Sequence, residues 1–454
     1  MFKTRFSTLA ALFLASLVPC VASAQTMEFI RDAEIENTIR MYATPLFQQA
    51  GVEPSAVEIH LVKDNQINAF VAEGLNLFIN TGLIVKTEHA GQLVGVIAHE
   101  CGHIAGGHLV KGRGEMENAG YTTIASMILG AAAAVAARRG DVGSAIMMGG
   151  NDMAERSYLA FSRAIEGSAD TAALTFLDNL HMSARGFLEF MEMLGDQELL
   201  VSNRQDPYVR THPLTRDRVD EVRHHVETSP WSDVPVPPSY VEPHKRMKAK
   251  LIAFMEPPVT TLFRYKDDDT SLEARYARAI AYYRKPDLDH AVPLIDGLIA
   301  ERPQDPYFHE LKGQMMFENG RIPEAIPEYK LAVKYLPDNA LLREELGQVE
   351  LEQEDNSQLA DAKEQLTYVT RHEQDNANGW RLLATAYGRG GDDIMAAASM
   401  AEYALLVGRW SEALHDAEKA LKGLKKGTPT EIRMQDVRAQ AEQMQERAKN
   451  KGRG

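Results

Sequence analysis

Leu93-Val94-Gly95-Val96-Ile97-Ala98-His99-Glu100-Cys101-Gly102-His103-Ile104-Ala105 is the stretch that decides how this chain is read. It is apolar on every side except for two histidines and one glutamate, which predicts a buried helix over about 90–103. Histidines at i and i+4 lie on one helix face. That spacing lets both imidazoles hold a single Zn²⁺, and the glutamate after the first histidine projects about 100° away, within reach of a water at the metal. The chemistry that needs this set is metal-assisted hydrolysis of a peptide bond. Incidental core histidines would not require Glu100 between them. Cys101 is turned away from both imidazoles and reads as a packed thiol. No phosphate loop or nucleotide fingerprint accompanies the motif.

A third ligand must come from elsewhere. His108 lies five residues after His103, one short of the six-residue spacing of the longer three-histidine metal motif, and reads as a helix-end or supporting residue. Glu166, in Phe161-Ser162-Arg163-Ala164-Ile165-Glu166-Gly167-Ser168-Ala169-Asp170, is the stronger candidate. Glu166 and Asp170 share one face of a second predicted helix, about 153–179. Glu166 would complete a His-His-Glu site with an open fourth position, and Asp170 would accept the N–H of a ligand imidazole. Taken alone, the same glutamate also fits a solvated helix charge.

Before the motif, residues 28–50 predict an amphipathic helix, Gly51–Pro54 a turn, and Val57–Val62, Ile67–Phe70 and Leu75–Ile79 a small sheet. Between the two helices lies a stretch rich in Gly, Ala and Met, 112–151. It reads either as a structural excursion or as a mobile cover or peripheral contact with a membrane or partner. Residues 229–241 are Pro-rich and extended, a helix follows at 243–254, and Pro257-Pro258 opens a linker.

Beyond it the chain repeats. Ala279, Ala291 and Pro303 return as Gly313, Ala325 and Pro337, each 34 residues later, and Ala332 occupies the next small position. Gly347 continues the period and Ala401, Ala413 and Ala420 restore its internal spacing. Small residues at helix crossings and a Pro at the turn define 34-residue helix pairs that stack into a solenoid. This region resembles the tetratricopeptide repeat family.

The chain has 454 residues, 44% hydrophobic and 25% charged, with a net charge of −15. Size and composition exclude a disordered chain, and the acidic balance with a pI near 5.5 argues against nucleic acid as the main partner. Two cysteines exclude a disulfide scaffold. Lys3 and Arg5, the apolar run Phe6–Ala22 and Ala22-Ser23-Ala24 fit a secretory signal cleaved before Gln25. The run is shorter than the ~20 residues of a comfortable membrane span, and Pro19 before Cys20 is unusual for lipid attachment. The expected location is the periplasm.

Asn68-Ala69-Phe70, Gly82-Leu83-Ile84, His99–His103, Ser162–Asp170 and His212-Pro213-Leu214-Thr215-Arg216-Asp217-Arg218 together make roughly residues 28–256 similar to the M48 family of zinc metallopeptidases. The family usually has a second Glu where this chain has Ser168, a position that is not a ligand. The resemblance implies one Zn²⁺ per chain held by His99, His103 and Glu166, with Glu100 as the base. It also implies that His212 approaches the metal's fourth position and restrains activity, and that Arg218 contacts substrate or intermediates. A leader, an M48 domain and repeats in series are similar to periplasmic family members that work on outer-membrane proteins and their β-barrel assembly machinery. The expected organisation is a signal peptide 1–24, a helical zinc metallopeptidase domain with a small β-sheet 25–256, a linker 257–270, a tetratricopeptide-repeat α-solenoid 271–445 and a polar tail 446–454. The fold is thus mainly α. The expected function is an endopeptidase for misassembled or unfolded outer-membrane proteins, with peptide substrates recruited by the repeats. An assembly chaperone or adaptor with restrained proteolysis and a specific processing protease are the alternatives.

Overall fold

The computed structural model describes residues 28–72, 75–108, 151–198 and 207–451. The leader 1–24 and the segment 112–150 lie outside the described residues. Among those described, no helix is long and apolar enough to cross a membrane.

A four-stranded sheet flanks the first core. It is built from β1 (Phe29–Ile30), β2 (Glu58–Val62), β3 (Ala69–Ala72) and β4 (Asn76–Asn80), in the order β1-β2-β4-β3. β2 and β4 run parallel, and the two outer pairings are antiparallel. The helix read over 28–50 is shorter than expected. Asp32 accepts the N–H of Ile35 at 2.9 Å and starts α1 (Ala33–Gln49), leaving Phe29 and Ile30 to pair with β2.

After α2 (Thr81–Lys86) comes α3 (Ala90–Ala105), the helix of the metal motif. It is apolar all round because it is covered all round: α1, β3, α4 (Asn151–Asn179) and α5 (Arg185–Glu198) all pack on it. Two glycines let these neighbours come close. A Cβ on Gly102 would sit 2.5 Å from the Ala169 carbonyl oxygen, and one on Gly95 would sit 2.5 Å from Phe187 Cβ. The first contact sets the distance between the histidine helix and the glutamate helix.

α6 (Pro207–Thr211), α7 (Arg216–Thr228) and α8 (Pro238–Met255) complete this unit. α8 starts five residues earlier than read, with Pro238 at its first position, where a missing N–H costs nothing. The span 257–270, expected as a linker, contains a helix, α9 (Pro258–Arg264), and Arg278 bonds the carbonyls of Lys266 and Asp269.

The helix pairs follow as α10 (Leu272–Arg284), α11 (Leu288–Glu301), α12 (Pro306–Glu318), α13 (Ile322–Tyr335), α14 (Ala340–Leu351), α15 (Leu359–His372), α16 (Ala377–Arg389), α17 (Asp393–Leu406), α18 (Trp410–Gly423) and α19 (Pro429–Lys451). The tail read from 446 therefore continues as helix to Lys451. Gly313 and Gly347 sit at crossings where a Cβ would meet Tyr329 and Leu366 at 2.8 Å. The 34-residue period fails after Gly347 because the turn from α14 to α15 is longer, and it passes through Asn356 at φ +55°. The late signature at Ala401, Ala413 and Ala420 falls on α17 and α18, half a pair out of phase with the first units. All three alanines are fully buried.

The two cores meet along α8, which gives Met247 and Leu251 to the first and Ala249 and Ala253 to the second. Buried charges cross this seam. Lys250 Nζ lies 2.8 Å from Asp32, 3.5 Å from Glu34 and 3.7 Å from Glu310. Arg246 pairs with Glu34 at 2.7 Å and with Asp305 at 2.5 Å, and stacks on Phe308 at 4.4 Å. Tyr276 donates to Glu34 at 2.9 Å. Burial alone would lower the Lys250 pKa, but Asp32 and Glu310 outweigh it and raise it, so the ammonium stays charged. Lys250→Met should cost about 3–5 kcal/mol of unfolding free energy, because Asp32 and Glu310 lose their shared cation while Glu34 keeps Arg246. Urea unfolding checks this, with the exposed Arg223→Ala as a control expected to leave the midpoint in place.

Candidate metal centre

Four side chains from three parts of the chain converge in the first core. His99 and His103 come from successive turns of α3, Glu166 from α4, and His212 from the turn after α6. One ligand atom from each lies within 4.8 Å of all the others, and all four residues are buried. His99 Nε2 is 3.1 Å from His103 Nε2, 3.3 Å from His212 Nδ1 and 3.3 Å from Glu166 Oε2. His212 Nδ1 is 3.2 Å from Glu166 Oε2, and His103 Nε2 is 3.4 Å from Glu166 Oε1. Ligands about 2.0–2.1 Å from a tetrahedral zinc stand about 3.3 Å apart. The observed separations match that spacing.

The surrounding groups fix these atoms. Asp170 Oδ1 lies 2.8 Å from His99 Nδ1, the nitrogen facing away from the cluster. This leaves Nε2 free as a ligand, the usual support for a metal-bound imidazole. Arg218 grips Asp170 with Nε at 2.6 Å and Nη2 at 2.8 Å, reaches Glu166 Oε2 at 3.1 Å and donates to the Pro213 carbonyl at 2.8 Å. Thr215 caps α7 by accepting the Arg218 N–H, which explains the Thr215-Arg216-Asp217-Arg218 spacing.

Burial and charge then set the protonation. Burial would lower the His99 pKa, but Asp170 and Glu166 outweigh it and raise it to about 9. Burial, reinforced by His99, lowers His103 to about 2, so its ring stays neutral, the form in which an imidazole can hold a metal. Glu166 is held well below the usual carboxylate range, because His212 and His99 overcome its burial. Burial raises the Glu100 carboxyl, with His212 and His99 offsetting only part of it. Both Glu100 oxygens and His212 Nε2 are buried without a hydrogen-bond partner among the described residues, and Glu100 Oε1 is 3.5 Å from that nitrogen. Buried acceptors of this kind await a ligand. The donor set fits a divalent metal with a water beside Glu100.

His99, Glu100, His103, Glu166, Asp170, His212 and Arg218 are therefore brought together. His108 stands outside the cluster, with its Nδ1 3.1 Å from the far nitrogen of His103. Cys101 is buried and free, its thiol pushed up by burial and by Glu100. Tyr208 went unnoticed in the sequence. Its ring stacks on His212 with centroids 4.7 Å apart and packs edge-on against Phe190. Its position four residues before His212 was the available signal.

Residues 30–226 match the family described as Peptidase family M48, and residues 276–340 match the Tetratricopeptide repeat. The chain thus carries an M48-type peptidase domain followed by tetratricopeptide repeats. Its curated relatives include the beta-barrel assembly-enhancing protease of Yersinia pestis, 24% identical over 407 residues (87% of this chain and 81% of the relative). The protein of the same name from Escherichia coli (strain K12) is 24% identical over 431 residues (92% and 85%). Among solved structures, YrrB, a TPR protein with an unusual peptide-binding site, aligns with 38% of this chain and 91% of its own at 16% identity and a TM-score of 0.32.

The geometry places a Glu166 carboxylate oxygen among the converging atoms and Asp170 behind His99. Metal analysis should find one metal ion per chain in the wild type and a near-complete loss in Glu166→Ala. Asp170→Asn should keep the ion but bind it about 10–100-fold more weakly. Full occupancy at unchanged affinity in Glu166→Ala would remove that residue from the set.

Proposed function

We propose that this chain is a zinc-dependent endopeptidase of the periplasm that acts on misassembled or unfolded outer-membrane proteins, with its repeats recruiting them or their β-barrel assembly machinery. One observation carries the hydrolytic part: a buried Glu100 carboxylate, with no hydrogen-bond partner among the described residues, beside four converging ligand atoms. The leader supports the location, and the names of the relatives support the substrate class. The stacked helix pairs support recruitment, since such arrays form extended concave surfaces.

His99, His103 and Glu166 would hold the metal. When bound, zinc lowers the pKa of a water and polarises the scissile carbonyl. Glu100 takes the proton of the attacking water and delivers it to the leaving amine. Its burial raises its pKa above the usual carboxylate range, which makes it a stronger base for the water proton. Arg218 is a positioning residue in this scheme: Asp170, Glu166 and the Pro213 carbonyl engage its guanidinium. His212 fills the fourth corner and stands against Glu100, where substrate and water must enter. This favours a restrained resting enzyme and gives the chaperone or adaptor reading its place, as the same protein before His212 withdraws. The turn that carries His212 is the element that must move, and Arg218 ties it down through Pro213.

Two variants separate these roles. Glu100→Gln should keep the metal and the melting temperature while peptide cleavage falls by at least 10³-fold, because the amide cannot take a proton. His212→Ala should cleave an unfolded polypeptide faster than the wild type at equal metal content. Wild-type turnover in the first would remove the base, and slower cleavage in the second would remove the restraint. Glu100→Gln should also capture outer-membrane proteins from envelope extracts, and capture of none would count against the proposed substrate class.

A further inference from the structure

A row of rings crosses the outer face of the sheet in strand order: Phe29 on β1, His60 on β2, Phe78 on β4 and Phe70 on β3. Phe70 and Phe78 stack with centroids 4.8 Å apart and planes 9° apart, and Phe78 and His60 at 4.8 Å and 20°. Phe29 meets both His60 and Phe78, at 6.0 and 6.1 Å. The inner face, with Leu61, Ala69, Val71, Leu77 and Ile79, is buried in the first core. Among the described residues the row ends at Phe70, because β3 is the edge of the sheet and no ring stacks beyond it.

The edge itself faces the metal centre. β3 packs on α3. The Asn80 N–H donates to the Asn68 carbonyl at 3.0 Å, so Asn68 and Asn80 form a hydrogen-bonded pair. The register Ala69↔Ile79, Phe70↔Phe78, Val71↔Leu77 then alternates, which leaves the backbone groups of Ala69 and Val71 pointing away from β4. The Val71 backbone N–H lies close to the Glu100 carboxylate but outside hydrogen-bonding geometry with it. An extended chain that adds to this edge therefore runs past the catalytic glutamate.

We propose that Phe70 is a specificity-determining residue: a substrate paired antiparallel to β3 places one side chain directly opposite Phe70, and the enzyme favours an aromatic residue there. Bonding to Ala69 and Val71 makes the position opposite Phe70 a non-hydrogen-bonded pair. This is the closely spaced type, with Cα atoms about 4.5 Å apart. Its side chain lies on the same face as the ring row and extends it by one. Successive substrate residues alternate faces, so the preference falls on a single position. Stacking beyond plain burial makes the ring about three- to tenfold better than an aliphatic residue of similar size. The preferred substrate is an extended chain with an aromatic side chain at a fixed distance from the scissile bond.

The proposal rests on the peptidase reading, so its test has two readouts. The full-length metal-loaded protein is given a peptide series in which Phe, Tyr, Leu or Ala is walked through the positions flanking one cleavage site. Relative kcat/KM is read by mass spectrometry. Binding of the same peptides to Glu100→Gln is read by fluorescence anisotropy, which needs no hydrolysis. One position should favour Phe and Tyr over Leu by about three- to tenfold in both readouts. That ratio should collapse toward one in Phe70→Leu and Phe70→Ala, Phe70→Leu keeping apolar volume at the sheet edge. No cleavage by the wild type, with the aromatic preference intact in binding, would defeat the peptidase reading and leave this one standing. Absence of the preference, or its persistence in Phe70→Leu, would overturn the role of Phe70.

Discussion

The bidentate pair between Arg218 and Asp170 is the contact on which the centre depends. It joins α7 to α4 in the dry interior. Through Asp170 it sets His99, through Nη1 it steadies Glu166, and through the Pro213 carbonyl it fixes the turn that carries His212. Three of the four converging ligand atoms are thus oriented by one guanidinium. Paired and hydrogen-bonded charges are the form in which burial of ions is tolerated. The close approach of Gly102 to Ala169 gives this pair its leverage, because it lets α3 and α4 lie near enough for side chains on both to meet.

Electrostatics explains why such a site belongs to a cation. Glu100, Glu166 and Asp170 are all buried at this centre, and one guanidinium pairs with the last two. A proton on His99 offsets part of the excess when no ion is bound, since its pKa stands near 9. A divalent metal held by these residues would replace that proton and balance the remaining carboxylates. The seam with the repeats uses the same chemistry at larger scale: Lys250 and Arg246 are surrounded by Asp32, Glu34, Asp305 and Glu310. α8 therefore joins the catalytic unit to the first helix pair through buried charge as well as apolar contact.

The metal motif was legible because its information is local. Two histidines one helical turn apart and an apolar surround declare themselves in a single helix, and the Glu166–Asp170 spacing does so in another. That the two helices meet, and that Glu166 is more than a solvated charge, depended on family resemblance and on a glycine contact no periodicity reveals. The repeats were legible at Ala279, Gly313 and Ala325, where small residues recur at helix crossings. The signal blurred after Gly347, where the longer α14–α15 turn shifts the frame. The strand at Phe29–Ile30 was read as helix, because only Asp32 marks the boundary and its capping bond needs coordinates to be seen. Tyr208 and the ring row on the sheet were missed for a similar reason, since cross-strand register brings Phe70, Phe78 and His60 together from distant parts of the chain.

The most direct test of this account is zinc K-edge X-ray absorption on the purified protein and on His212→Ala. The account predicts a first shell of three imidazole nitrogens and one carboxylate oxygen at about 2.0–2.1 Å in the resting protein, with no sulfur. In His212→Ala one imidazole, with its ring multiple scattering, should be replaced by a single oxygen scatterer at unchanged metal content. A sulfur at about 2.3 Å, or an imidazole count that His212→Ala leaves unchanged, would contradict it.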